Sequence, residues 1–355
     1  MIAVPHGGRV LECTDNGKSL VDFSANINPW GPPAVLREAW EGLFPLVTTY
    51  PPLSADYHRK SLGSLYHIAS CSILPCNGAS QGIYLLAREL PVKQVAVCEP
   101  LFTEYAHAFR YYGKEVTHHL HLPGHDPSTL LDTLFQVPHD AIVIGNPGNP
   151  VGDTPPQWFW EILLRRCDEK GIWLLVDEAF QEFMREETSL SALVFQWKKL
   201  VVVRSLTKYY SLAGLRGGFL VSHPELVSTI ERGVEPWSVN SILTRALDIL
   251  ASSDLSFFHN RTAEKLAEEK AFLEEGMKKT GLLENMFPSK VNYYLANLKN
   301  EDHEFFSFLE ERGILVRSCS DFYGLSSGTW FRFAVRDRRE NLLLLEAANE
   351  YARKN

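Results

Sequence analysis

VVVRSLTKYYSLAGLRGGFLV, residues 201 to 221, opens on a β-branched run fit for a buried strand, breaks into a glycine-punctuated loop and closes on a second apolar run. Its polar residues therefore fall where a sheet stops. They are Arg204, Ser205, Thr207, Lys208 and Arg216. A lysine flanked by two hydroxyls, with an arginine eight residues on, suits a phosphate-bearing aldehyde: the amine condenses with the aldehyde, and the hydroxyls and guanidinium hold the phosphate. Pyridoxal 5'-phosphate meets that description. A lone Ser-x-x-Lys after a strand is ordinarily just a loop, so the rest of the chain has to decide.

Outward from this stretch, Cys76 to Val221 alternates between apolar runs and amphipathic segments. Helices are expected at Gln81 to Leu90, Thr103 to Tyr112 and Pro156 to Lys170. Between them lie the strands QVAVCEP, EVTHHLHL, AIVIGNP, GIWLLVDEAF and KLVVVRS. Apolar strands separated by helices predict an α/β fold with a mainly parallel sheet covered on both faces, and ligands then gather beyond the carboxyl ends of the strands. Phe102, Asn149, Asp177 and Lys208 all fall at such ends.

On the N-terminal side, DFSANINPWGPP at 22 to 33 is irregular, and its polar-aromatic mix favours an ordered strap over a site. A helix is expected from Pro33 to about Leu43, and Pro51 and Pro52 leave Tyr50 in an extended loop. Past Pro236 the character changes to two long helices, 236–253 and Thr262 to Lys279. Short strands VNYYLANL, ILVRSC and TWFRFAVR follow, with one helix around Asp302 to Arg312 and another running to Lys354. Three parts are expected: a strap over residues 1–35 that belongs with a small α+β domain over 236–355, and a large domain over 36–235.

Totals narrow the classes. With 355 residues, 45% of them apolar, and a formal net charge of -8 without a basic block, the chain suits small metabolites and not a nucleic-acid groove. No run of 18 apolar residues occurs, and MIAVPHGGRVLEC lacks the charged and apolar regions of an export signal, so a soluble cytoplasmic protein is expected. Six scattered cysteines, Cys13, Cys71, Cys76, Cys98, Cys167 and Cys319, show no C-x-x-C pair and fit reduced thiols. His118, His119, His121 and His125 lack a suitably spaced carboxylate or cysteine, so they are expected on a solvated edge and no metal is expected.

Several constellations bear on chemistry. Asp177 ends a dry strand, where a carboxylate is costly unless a cation meets it, and a protonated pyridine nitrogen is such a cation. A nucleotide-binding reading of WLLVDE needs a G-x-x-x-x-G-K-[ST] loop that the chain lacks. Gly78-Ala79-Ser80 at a helix N-terminus offers backbone N–H groups to an anion, which would complete a phosphate cup with Ser205, Thr207 and Arg216. Asn149 in the rigid NPGNPVG turn is placed to donate to a ring oxygen. Arg332 and Arg336, four apart on one expected strand, and Arg317 on its neighbour, form a cluster without acidic neighbours, suited to carboxylate or phosphate groups of a substrate. Ser205-Leu-Thr-Lys208, Ser238-Val-Asn240 and Lys279-Thr-Gly281 also follow the order of the penicillin-recognising serine hydrolases, but there the serine opens a helix, whereas here it ends a strand.

These residues resemble a known family. HGG at 6, DFSANINPWG at 22, NGAS at 77, EPLFTEY at 99, NPGNPVG at 146, DEAF at 177, RSLTKYYSLAGLRGG at 204, PWSVN at 236, ILVRSC at 314 and FRFAVR at 331 are similar to fold-type I pyridoxal-phosphate enzymes of the aminotransferase class. The branch is that of histidinol-phosphate aminotransferases and threonine-phosphate decarboxylases, with the decarboxylase side favoured. The resemblance implies a seven-stranded, mainly parallel sheet and a homodimer with shared sites. It makes Lys208 the cofactor-bearing amine, Asp177 the partner of the ring nitrogen, and Asn149 that of the ring hydroxyl. Ala79, Ser80, Ser205, Thr207 and Arg216 would hold the cofactor phosphate, with Phe102 stacked on the ring and Tyr50 reaching the neighbouring subunit. Arg332 would take the substrate carboxylate, with Arg317, His6 and Asn26 near a substrate phosphate. The implied reaction is decarboxylation of L-threonine O-3-phosphate to (R)-1-amino-2-propanol O-2-phosphate for the cobalamin nucleotide loop. Serine phosphate decarboxylation and a histidinol-phosphate-type aminotransferase stay open as alternatives. Phe180 departs from the tyrosine common in the aminotransferases, which weakens the case for transamination.

Overall fold

The apolar runs become strands. In the computed structural model, which describes residues 6–8, 20–184, 189–299 and 303–354, β1 (Val21–Asp22) precedes β2 (Ile73–Asn77), β3 (Gln94–Glu99), β4 (Glu115–Leu120), β5 (Ala141–Gly145), β6 (Trp173–Asp177), β7 (Leu200–Ser205) and β8 (Gly217–Ser222). After these come β9 (Leu283–Met286), β10 (Tyr293–Leu298), β11 (Ile314–Leu315), β12 (Arg317–Ser318) and β13 (Trp330–Ala334). The large sheet has seven strands in the order β2-β8-β7-β6-β5-β3-β4. Strands β3 to β7 pair in parallel, and β8 alone runs against its neighbours β2 and β7. Pro75 sits in β2, an edge strand, where the missing N–H removes no interior ladder bond.

Every residue of β5, β7 and β8 is buried, because both faces of this sheet are covered. Ile142 and Ile144 enter one apolar core and Ala141 and Val143 the opposite one, so a continuous apolar run is what a doubly covered strand requires. Burying each isoleucine or valine side chain stabilises the sheet by about 1.5–3 kcal/mol.

The smaller sheet is antiparallel, β12-β13-β10-β9, and β1 pairs in parallel with β11, which ties the segment before residue 23 to the C-terminal lobe. The segment then crosses the loop after β7: the Asn28 amide donates to the Lys208 carbonyl (3.0 Å), and the Ser211 hydroxyl to the Asn28 carbonyl (2.6 Å).

Some boundaries differ from expectation. The helix expected from Pro33 is broken at Ala39 into Ala34–Glu38 and Trp40–Leu43, and a 3-10 turn, Phe44–Thr48, carries Pro45. The long helix starts earlier, at Ser256, and runs to Lys279. Its predecessor is Ser241–Ser252, opened by Asn240, whose side chain accepts from the Leu243 amide (2.8 Å). Strand β13 ends at Ala334, short of Arg336. Cys13 lies outside the described residues. Burial pushes the thiols of Cys76, Cys98, Cys167 and Cys319 up, which keeps them protonated and unreactive. No helix among the described residues is long and apolar enough to cross a membrane.

Candidate active site

Parallel register brings the decisive residues to one rim. Gly145 of β5 pairs with Asp177 of β6, and Asp177 with Val203 of β7, so the carboxyl ends of three strands are level. Asn149 and Lys208 follow two of those ends directly, and Phe102 follows β3. The strand order turns back between β3 and β5, which is where an open α/β sheet leaves its crevice.

Two charges face each other there. Burial pushes the Lys208 amine down to about 8, helped by Arg216 and Arg332 and opposed by Asp177. Its Nζ lies 3.4 Å from Ser205 Oγ, to which it donates. Asp177 is buried, and desolvation raises its carboxyl despite the Ala179 N–H (2.9 Å) and the nearby lysine. Such a carboxylate is incompletely compensated and calls for a further cation.

Beside them lies an anion cradle. The Gly78–Glu89 helix points its N-terminus at the site, and the amides of its first turn, Ala79 and Ser80 among them, lack intrahelical partners. Gly78 has φ +76°, and a Cβ there would come within 2.6 Å of Arg216 Nη2, so only glycine lets the guanidinium close on the helix. A Cβ on Gly218 would stand 2.3 Å from the Ala79 nitrogen, which explains the second glycine of Arg-Gly-Gly: β8 passes directly beneath the helix start. Ser205 Oγ and Thr207 Oγ1 are 2.8 Å apart on the same side.

Lys208, Thr207, Ser80 and Arg216 open into a cavity of ≈ 720 Å³, which Asn149, Phe102, Phe180, Arg317 and Arg332 also line. The strap forms its roof. Asp22 accepts from the amide (2.8 Å) and hydroxyl (2.5 Å) of Ser24, and that turn aims the Ser24 carbonyl at Arg332. Arg332 also donates to Asn149 Oδ1, so the residue expected at the ring oxygen is joined to the expected carboxylate anchor. Both polar side-chain atoms of Asn26, which lines the cavity, are buried without a hydrogen-bond partner among the described residues. His6 pairs with Glu104 (2.9 Å), and Glu104 takes a second bond from the Tyr84 hydroxyl (2.8 Å).

Two expected residues, Arg336 and Tyr50, lie elsewhere. Arg336 is off the strand and pairs with Glu340 in the final helix (2.9 Å), and Arg317 pairs with Asp321 (2.7 Å). The arginine cluster therefore has acidic neighbours after all, each four residues downstream, and Arg336 is outside the cavity. Tyr50 is 78% exposed and packs on Trp237, with ring centroids 4.8 Å apart, away from the cavity of its own chain.

Several cavity residues escaped the sequence: Thr103, Glu104 and Phe322. Glu104 follows Phe102 by two positions and was open to notice, but its value comes from His6 and Tyr84, 98 and 20 residues away. Only the fold brings such partners together.

Residues 18–347 match the family model for aminotransferase class I and II. The threonine-phosphate decarboxylase of Salmonella typhimurium is 30% identical over 350 residues, covering 96% of this chain and 95% of its relative. Among solved structures, the histidinol-phosphate aminotransferase of Clostridium acetobutylicum superposes with a TM-score of 0.86 at 24% identity, over 95% of this chain and 100% of the other. The L-threonine-O-3-phosphate decarboxylase of Porphyromonas gingivalis gives 0.77 at 23%, over 93% and 99%. Both structures share the fold of this chain, in which Lys208, Asp177 and the anion cradle meet at the strand ends. With that layout and those matches together, the chain belongs to the aminotransferase class I and II family.

Proposed function

We propose that this chain is a pyridoxal-5'-phosphate-dependent carboxy-lyase that converts L-threonine O-3-phosphate to (R)-1-amino-2-propanol O-2-phosphate, the linker of the cobalamin nucleotide loop. The observation that carries the reading is a single cavity lined by Lys208 and by two guanidinium groups, Arg332 and Arg317. That set of cations suits an amino acid whose α-carboxylate and side-chain phosphate are both anionic.

The residues fit the cofactor. Asp177, raised by burial and short of a cation, is matched by a protonated ring nitrogen, and Gly78 lets Arg216 close on the helix start beside the amides that would meet a phosphate. Ala79, Ser80, Ser205, Thr207 and Arg216 would hold that phosphate, Phe102 would cover the ring, and Asn149 would meet its hydroxyl. When bound, the group supplies an electron sink for the pair left at Cα after a bond breaks. Everything else falls to the chain. Arg332 and Arg317 hold the substrate's carboxylate and phosphate and so decide which bond at Cα is set for cleavage. The Lys208 amine, held near 8, can carry a proton to Cα at neutral pH. Phe180 brings no hydroxyl to the ring oxygen; it packs edge-on against Tyr293 (5.0 Å), which supports decarboxylation over transamination.

Tyr50, Trp40, Phe44, Val47 and Leu53 are exposed together. A second copy of the chain would cover them and receive Tyr50 at its own cofactor phosphate, making a homodimer with shared sites.

Purified protein loaded with pyridoxal phosphate is to be given L-threonine phosphate, and separately histidinol phosphate with 2-oxoglutarate. Release of CO2 in the first is the expected result. Glutamate formed only in the second rejects the assignment. L-serine phosphate in the same assay reports how far the pocket values one methyl group, worth about 1–3 kcal/mol.

A further inference from the structure

Buried in the fold beside the rim lies a charge cluster that the proposed chemistry does not use. Glu178 is fully buried and collects four donors: Asn146 Nδ2 (3.2 Å) and the Leu190 amide (2.7 Å) at Oε1, and Arg204 Nη1 (3.2 Å) and the Ser189 hydroxyl (2.6 Å) at Oε2. Arg204, also buried, sends Nη2 to Glu182 Oε1 (3.1 Å), which the Tyr66 hydroxyl reaches as well (2.9 Å). Two carboxylates thus share one guanidinium. As a source of stability such a cluster is poor, because taking the ions out of water offsets most of their attraction.

Its placement is the better clue. Asn146 follows β5, Glu178 follows β6, and Arg204 is the last residue but one of β7. Burial on both faces fixes the strands but not the course of the chain past their ends. The cluster does that. The Asn146 amide donates to the Asp177 carbonyl (2.7 Å), its side chain reaches Glu178, and its Oδ1 takes the Thr154 hydroxyl, which closes the turn carrying Asn149. The Glu178 amide donates to the Val203 carbonyl (2.8 Å), and its carboxylate holds Arg204, directly before Ser205, whose hydroxyl meets the Lys208 amine.

We propose that Glu178 is a positioning residue for the cofactor site: by joining the ends of β5, β6 and β7 it presents Asn149, Asp177 and Lys208 to the ring as one unit. A carboxylate suits this task because its two oxygens accept from as many as four donors. Glutamine has a single acceptor oxygen and turns an N–H toward either Arg204 and Ser189 or Asn146 and Leu190, so one side of the joint opens. The inference rests on the cofactor reading and is independent of which phosphorylated amino acid is the substrate.

The test compares two variants of the full chain by spectroscopic titration with pyridoxal phosphate, visible circular dichroism of the loaded protein and urea unfolding. Tyr66→Phe removes a bond at Glu182 that Glu178 does not make. It is expected to lower the urea midpoint while cofactor affinity stays within about twofold of wild type. Glu178→Gln is expected to weaken cofactor binding by about 10–100-fold, the usual effect of removing a partner that orients the groups on a bound ligand, and to reduce the dichroism that reports a fixed ring. Should Glu178→Gln not fold, the charge-free set Glu178→Gln, Glu182→Gln and Arg204→Met takes its place, because removing all three charges spares stability, and the same loss of affinity is expected. Affinity of the Glu178 variant within about twofold of wild type, or equal losses in it and in Tyr66→Phe, would overturn the proposal. A wild type that takes up no cofactor overturns the cofactor reading and this inference together. Loading without CO2 release from threonine phosphate removes only the substrate, and the loss of affinity in the Glu178 variant still supports its role.

Discussion

The rim of the large sheet and the arginine corner of the small lobe face the same cavity but are built on opposite plans. At the rim, Asn149, Asp177 and Lys208 hang from the ends of β5, β6 and β7, strands in level register whose positions are fixed by burial on both faces. At the corner, Arg317 sits on a two-residue strand and Arg332 on β13, and their directions are set by local partners: Asp321, the Ser24 carbonyl and Asn149. The rim is positioned by the fold, the corner by side chains. Chemistry that must not vary suits the first, and recognition that must be tuned suits the second.

The contrast can be broken experimentally. The largest effect is expected at the rim: Asp177→Asn leaves the ring nitrogen without its counter-charge, and loss of a buried charge pair of about 3–5 kcal/mol lowers kcat by about 10²–10⁴-fold. Steady-state kinetics with threonine phosphate measure it, and a fall under tenfold would place the electron sink elsewhere. At the corner, Arg332→Lys keeps the charge and loses the fork, so kcat/KM is expected to fall by about 10–100-fold, mostly through KM. A loss confined to kcat would mean that Arg332 acts on the reacting centre and not on binding.

Gly78→Ala comes next. Alanine at φ +76° costs about 1–2 kcal/mol and pushes on Arg216, so cofactor affinity in a spectroscopic titration is expected to weaken by about tenfold. Unchanged loading would remove Arg216 from the cradle. The smallest effect belongs to Arg336→Ala, which breaks a partly exposed pair with Glu340 worth about 1 kcal/mol or less. Both kinetic constants should stay within about twofold, and a larger change would return Arg336 to the substrate.

The two regions also differed in how far the sequence revealed them. Lys208 and Asp177 stood out because a buried parallel strand writes itself as an unbroken apolar run, and the first polar residue after it marks the rim. The reversal of β8 left no such mark, since Gly217–Ser222 reads the same in either direction. The corner was misjudged for a physical reason. Arg332 and Arg336 look like one strand face at a spacing of four, but the strand stops at Ala334, and both Asp321 and Glu340 return to an arginine four positions before them. Whether such an i, i+4 pair forms depends on a local turn that alternation of apolar residues does not encode. The strap was recognisable as ordered, but its partners Asn292 and Lys208 lie 266 and 180 residues away along the chain, beyond the reach of any local pattern.

The claim on which all of this depends is that Lys208 carries the cofactor. Protein loaded with pyridoxal phosphate, reduced with borohydride and digested, is expected to show the pyridoxyl phosphate mass on the peptide containing Lys208 and to lose its visible absorbance band. An adduct on another lysine, or no adduct beside a band that survives reduction, would contradict it.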